Sequence, residues 1–115
     1  MIRLAYDQER RSVFMTHIVQ FPAFILKKGV SVSEFLPVAE KFHRELVSKQ
    51  KGYISHKLLV SGDKWYDLVT WESMEDTENA FKAIYENAAA AEYIALIEQI
   101  GTDDEIPLFS VVKDY

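Results

Sequence analysis

Apolar and polar positions follow two different periods along the chain. Val13 to Lys27 carries apolar residues on both alternating faces, Val19, Phe21, Ala23 and Ile25 on one and Ile18, Phe24 and Leu26 on the other, so it predicts a strand. Pro22 interrupts that run. Lacking an N–H, it predicts a bulge or a locally unpaired position. Lys28-Gly29 makes the turn, and the period then changes. Phe35, Ala39, Phe42 and Leu46 step by four, three and four, the inner stripe of a helix. Ser31 and Glu34 spell a capping box, flanked by Val30 and Phe35 as a hydrophobic staple. Pro37 falls beyond the first turn from a Ser31 cap, and a Ser33 cap would place it better. Gly52 is the stop.

Period two returns in Tyr53 to Val60 and again in Lys64 to Trp71, with Ser61-Gly62-Asp63 as the hairpin loop. In the second of these strands Trp65, Asp67, Val69 and Trp71 share one face, and Tyr66, Leu68 and Thr70 the other. Ser73 caps a further helix whose first turn carries Glu75, Asp76 and Glu78. Its expected inner stripe is Thr77, Phe81, Ile84, Tyr85 and Ala88. The Ala88 to Ala91 run fits one long helix or two. The stripe resumes as Ala90, Tyr93, Ile97 and Ile100, so helix is expected as far as Gly101. Thr102 to Glu105 reads as an acidic loop and Ile106 to Lys113 as the last strand. The order βαββαβ in one compact domain predicts an α+β, ferredoxin-like arrangement: a four-stranded antiparallel sheet with helices on one face. Residues 1–14 read as an N-terminal arm or extension, and 15–115 as the single domain.

A sheet covered on one side should alternate apolar with polar. These strands are apolar on both faces, so the uncovered face is expected to pack on a second copy of the chain, giving a homodimer through the sheet face. Composition narrows the partners. Apolar residues make up 49% of the 115, enough for a core, and 13 basic against 18 acidic residues leave a net charge of −5. A mildly acidic chain whose only basic clusters are Arg10-Arg11 and Lys27-Lys28 argues against nucleic acid. With no Cys, disulfides, thiolate nucleophiles and Cys-ligated zinc are excluded. No run approaches a membrane span and no signal-peptide core is present, so a cytoplasmic protein is the expectation.

The segments Leu26-Lys27-Lys28-Gly29-Val30, Glu34-Phe35, Lys51-Gly52-Tyr53-Ile54-Ser55 and Lys64-Trp65-Tyr66-Asp67-Leu68-Val69-Thr70-Trp71-Glu72-Ser73 resemble the dimeric α/β barrel superfamily. The nearest likeness is to small proteins of the antibiotic-biosynthesis monooxygenase type. The resemblance spans roughly Thr16 to Tyr115. It implies a dimer with an apolar cavity between sheet and helices in each subunit. Functionally it points to binding of a small aromatic or quinone-like molecule and to its cofactor-independent oxidation. An activated phenolate can itself reduce oxygen, so neither metal nor flavin is called for. Cofactor-free oxygenases of this type use an Asn and a Trp in the cavity, while haem degraders use a first-strand Asn with a helical Trp and His. Here the first-strand position falls at Pro22, with Gln20 the nearest amide. The second helical region has Tyr85 and Tyr93 but neither Trp nor His, which disfavours haem degradation.

In the reading that follows, Trp71, Tyr85 and Tyr93 hold a ring, and His56, Gln20 or Asp67 makes the polar contact. His56 and Asp67 are the candidates for general base. Each has a structural alternative. A strand His at an edge or dimer seam is commonly just hydrogen-bonded. Asp67, costly to bury alone, either pairs with His56, Lys57 or a Lys of a second copy, or lines a cavity as a base. His17 and His43 are further histidines. Glu40 with His43 makes one Glu-x-x-His pair, too little for a metal site. The aromatic set reads equally as filled core. The alternative function is therefore a non-enzymatic dimeric module that binds a small molecule or serves a structural role. An open cavity with converging polar groups separates the two.

Overall fold

In a computed structural model, the backbone of residues 3–5, all of 17–100 and the chain from 105 to 115 are described. The other residues, including most of the expected arm, Val13 to Thr16 of the expected first strand and most of the acidic loop, lie outside them. The elements run β1 (Arg3–Ala5), β2 (Ile18–Gln20), β3 (Ala23–Leu26), α1 (Val32–Glu45), β4 (Tyr53–Ser61), β5 (Lys64–Trp71), α2 (Met74–Ala83), α3 (Ala88–Ile94), β6 (Ile97–Ile100) and β7 (Glu105–Ser110).

The βαββαβ plan holds, with more strands than the four expected. Pro22 divides the first strand into β2 and β3. Against β5 the register does not slip: it runs from Ile18 opposite Trp71 to Phe24 opposite Trp65. The Asp67 amide still donates to the Pro22 carbonyl (3.2 Å), and Pro22 has no N–H to return that bond. The change comes on the other edge, where β7 lies beside β2 and β6 beside β3. β4 flanks β5 on its far side, with a bulge between Tyr53 and Ser55. β1 pairs in parallel with β7.

Ser31, not Ser33, caps α1: its hydroxyl accepts from the Glu34 amide at 3.1 Å, and Pro37 sits inside the helix. The stripe Phe35, Ala39, Phe42 and Leu46 is buried as expected. α1 stops at Glu45, followed by a 3₁₀ turn over Val47–Lys49. Gly52 has φ +84°, and a Cβ there would collide with the Asp76 carboxylate. Ser73 caps α2 through the Asp76 amide at 3.0 Å.

Two expectations after Ser73 are corrected. The inner face of α2 is Met74, Asp76, Thr77 and Ala80; Ala88 is exposed, and Tyr85 is 60% exposed rather than part of the stripe. A 3₁₀ turn at Ile84–Glu86 breaks the helix, and Asn87 recaps it, accepting from the Ala90 amide at 2.9 Å. The expected helix through Ile97 and Ile100 is instead strand β6, paired with β3 from Leu26 opposite Ile97 to Ala23 opposite Ile100. Spacing of three between two isoleucines suits a helix stripe, whereas in the strand they point to opposite faces. The exposed edge of β3 decides it by offering a ladder.

The core lies between the inner sheet face and the helices. It joins Phe24, Trp65, Val69 and Trp71 to Phe35, Phe42, Ala80 and Tyr93. The opposite face carries half-buried Val19, Phe21, Ala23, Ile25, Tyr66 and Leu68, with Phe21 stacked on Tyr66 at 5.0 Å. Phe109 and Leu59 are exposed there. The double-faced apolar pattern is thus real in the fold.

Candidate functional site

β5 is the central strand, and its alternation aims Trp65, Asp67, Val69 and Trp71 at the helices. A cavity of about 380 Å³ remains beside them. Gln20, Pro22, Asp67 and Trp71 line its sheet side, and Ala80, Phe81, Ile84 and Tyr93 its helix side. Its size is that of a small-molecule site, and the lining is mostly apolar with a few polar groups. Of Phe81, Tyr85 and Tyr93, which would fill this space if it were solid core, only Tyr93 packs solidly. It stacks on Phe42 at 4.3 Å and meets Phe24 edge-on at 5.9 Å. Phe81 lines the cavity, and Tyr85, edge-on to Phe81 at 5.7 Å, stands at its exposed side.

Two polar pairs project into this apolar space. In the first, the Trp71 indole N–H donates to Gln20 Oε1 at 3.0 Å, both side chains buried. Register causes this: Ile18 stands opposite Trp71 and Gln20 opposite Val69, so the amide lies diagonally beside the indole on one face.

In the second, Asp67 is buried and doubly bonded. Tyr93 donates its hydroxyl to Oδ2 at 2.6 Å, and His56 Nε2 meets Oδ1 at 2.6 Å. His56 is on β4, opposite Val69, so it shares the inner face with Asp67. A carboxylate in this position only accepts, so both partners donate. Such charge-assisted bonds offset the desolvation of the carboxylate. Burial, and then the Asp67 charge and hydrogen bond, hold the Tyr93 phenol protonated far above its ordinary range.

The line continues past His56. Its Nδ1 lies 3.0 Å from Nδ1 of His43 on α1. His43 borders a second cleft of about 340 Å³, which Leu36, Glu40 and Leu58 line together with His56, Asp67 and Tyr93, so Asp67 lies between the two. Burial, then the charge of His56, lowers the pKa of His43 from its usual value.

Of the expected site residues, Gln20, Asp67, Trp71 and Tyr93 are buried beside the cavity and Tyr85 lines its exposed side, whereas His56 lines the second cleft and meets the cavity only through Asp67. His17 is exposed and away from the cavity lining. Sequence reasoning paired Asp67 with His56 among several options, but it missed the Tyr93 bond and the link to His43. Both cross between elements that sequence spacing does not relate. Among the described residues no group of three or more His, Asp or Glu is placed to hold a metal, and no helix is long and apolar enough to cross a membrane.

No protein-family model and no curated protein matches the chain. Solved structures do match it. A cofactor-independent oxygenase of Streptomyces nogalater, SnoaB, is 17% identical with a TM-score of 0.69, covering 86% of this chain and 96% of its own. A putative antibiotic biosynthesis monooxygenase of Chloroflexus aurantiacus is 14% identical with a TM-score of 0.60, covering 87% and 97%. A conserved protein of Methanosarcina mazei is 14% identical with a TM-score of 0.61, covering 84% and 93%. At these identities the likeness is one of fold. The chain shares the α+β, ferredoxin-like fold of these structures.

Proposed function

We propose that the chain is a cytoplasmic homodimer that binds a small, flat aromatic or quinone-like molecule in the cavity and oxidises it with molecular oxygen, without a cofactor. One observation carries the reading: an otherwise apolar cavity receives a carboxylate that accepts two hydrogen bonds, and a Trp–amide pair beside it. Its shape suits a ring, with Trp71 and Tyr93 in the walls and Tyr85 at the exposed side. The shared fold of a cofactor-independent oxygenase supports the reaction class.

The chemistry is that of an acidic ring system, such as an anthrone. Asp67 takes the proton, and the ring anion passes one electron to O₂. The two radicals combine at carbon to give a peroxide anion, and Asp67 returns its proton to make the hydroperoxide. Loss of water then leaves a carbonyl, so the CH₂ carbon gives up four electrons and O₂ takes them. One oxygen atom stays on carbon and the other leaves as water. The NH₂ end of Gln20, the end not bonded to Trp71, is the donor for the anionic ligand oxygen.

Thermal shift with a flat quinone, alongside oxygen uptake with an anthrone, tests this. At about a hundred times its dissociation constant a bound quinone adds roughly 2.7 kcal/mol of stability. Oxygen uptake should disappear in Asp67→Asn. Stabilisation without uptake leaves the non-enzymatic binding module, and no stabilisation up to the solubility limit defeats both.

The dimer is proposed on the chemistry of the outer sheet face. Val19, Phe21, Ile25, Leu68 and Phe109 form an apolar surface there that a second copy would cover. Sedimentation should give a dimer at micromolar concentration and a monomer for Leu68→Glu. A stable wild-type monomer would sink the dimer without touching the cavity.

A further inference from the structure

Two glutamines line the cavity with opposite ends of their amides committed. Gln20 accepts the Trp71 indole N–H at its carbonyl oxygen, 3.0 Å away. An indole only donates, so Oε1 must face it and the NH₂ is the end left over. Gln50 does the reverse. Its Nε2 donates to the Leu46 carbonyl at 3.2 Å, and a carbonyl only accepts, so Oε1 is the end left over. The Gln50 backbone is committed as well. Its N–H donates to the Val47 carbonyl at 3.3 Å, and its own carbonyl accepts from the Tyr53 amide at 3.2 Å. These bonds fix the half-buried residue at the end of the 3₁₀ turn after α1. Among the described residues no buried side-chain nitrogen or oxygen lacks a partner, so both leftover ends are open to approach. One is a donor and the other an acceptor.

Register sets these groups in order along β5. Gln20 stands opposite Val69, two residues on from Asp67. Gln50 is tied to Tyr53, which stands opposite Trp71, two residues further on. Each step of two residues along a strand is about 7 Å. A ring that gives its CH₂ proton to Asp67 and sets its oxygen at Gln20 therefore turns its carbonyl half towards Gln50. Turned end for end, it would set its carbonyl oxygen against the Asp67 carboxylate, acceptor against acceptor. We infer that Gln50 is a specificity-determining residue: its Oε1 accepts from a hydroxyl on the carbonyl half of the ring, so the cavity takes hydroxylated aromatic ketones of the anthrone type and fixes which way round they bind. This rests on the cavity being the ring site. Gln50 takes no part in the proton or electron steps. The third amide of the lining, Gln99, lies at the other end, opposite Phe24, which itself stands opposite Trp65. A hydroxyl on the CH₂ half would fall on that side.

Binding to the full-length protein under nitrogen tests this, because ligand choice is then read apart from oxidation. Mildly acidic buffer keeps the phenols protonated. The wild type should bind 2-hydroxyanthrone, with its hydroxyl on the carbonyl half, about tenfold tighter than 3-hydroxyanthrone, with its hydroxyl on the CH₂ half. Gln50→Met keeps the length of the side chain and removes the amide, so it should bind the two isomers equally. If that variant does not fold, Gln50→Asn takes its place: with the amide drawn back by one CH₂, the preference should again be lost. Equal binding of the isomers by the wild type, tighter binding of the 3-hydroxy isomer, or a preference that survives in the folded variant would each overturn the inference. Anthrones that bind without preference defeat the role of Gln50 alone. If no anthrone binds, the ring site itself fails, and the role of Gln50 falls with it.

Discussion

Trp71 and Asp67 lie on the same face of β5 with Val69 between them, and each buries a polar group beside the same cavity. The Trp71 cluster is neutral and closed: one indole N–H, one amide oxygen, 3.0 Å apart. The Asp67 cluster is charged and open-ended. It takes donors from α3 and β4, and through His56 it continues to α1. A neutral pair fixes a wall and a ring orientation. A charged chain of titratable groups can also move protons. The same strand thus places a neutral, closed pair and a charged, open-ended cluster beside one cavity.

The comparison breaks most sharply at Asp67. Asp67→Ala removes the shared acceptor and leaves a buried phenol and a buried imidazole without it. Stranding two buried neutral donors costs about 1–3 kcal/mol for each of them. Denaturant unfolding should show a loss of that size, and a loss below about 1 kcal/mol would mean that the cluster contributes little to the fold.

Trp71→Phe should cost less. It keeps most of the ring volume and strands one neutral acceptor, Gln20 Oε1, at about 1–3 kcal/mol. Gln20→Leu strands the indole N–H instead. The two together should cost less than the sum of the single changes, because the second removes the group that the first left unpaired. Strict additivity in that cycle would separate the two side chains energetically despite their 3.0 Å contact.

How far this contrast was legible in the chain follows from range. The alternation of β5 placed Trp71 and Asp67 on one face, and the cost of a lone buried carboxylate marked Asp67 for a partner. Both caps, Ser31 and Ser73, were local and readable. The doubly apolar strands carried the two-faced sheet, and Pro22 carried the break in the first strand. Tyr93 was legible as a buried aromatic but not as a donor to Asp67, because its place depends on Asn87 restarting the helix. That cap went unread beneath the alanine run that follows it. His43 was passed over because it sits beside the α1 stripe rather than in it. Only the packing of α1 across β4 brings its ring to His56. The strand β6 was hidden for a related reason: its isoleucines, three apart, fit the helical period, and a long-range ladder overrode it.

The smallest effect separates the clusters by pH. The Trp71–Gln20 pair has no titratable group, so it adds nothing to the pH dependence of stability. Tyr93 does. Its folded pKa is raised above the unfolded value of 10.0 by burial and by Asp67. Above pH 10 the unfolded phenol loses its proton while the folded one keeps it. The unfolded state then binds fewer protons, and stability falls as pH rises. This contribution is whole below pH 10 and declines by roughly 1.4 kcal/mol for each full pH unit above it. Tyr93→Phe removes the phenol from both states. It lowers stability at neutral pH by losing a bond to a charged acceptor, yet it should flatten the alkaline limb relative to wild type. The readout is therefore the slope of unfolding free energy between pH 10 and 11, not its level. Parallel slopes would show that the Tyr93 phenol ionises in the folded protein as readily as in water, and the 2.6 Å bond to Asp67 would then not hold its proton.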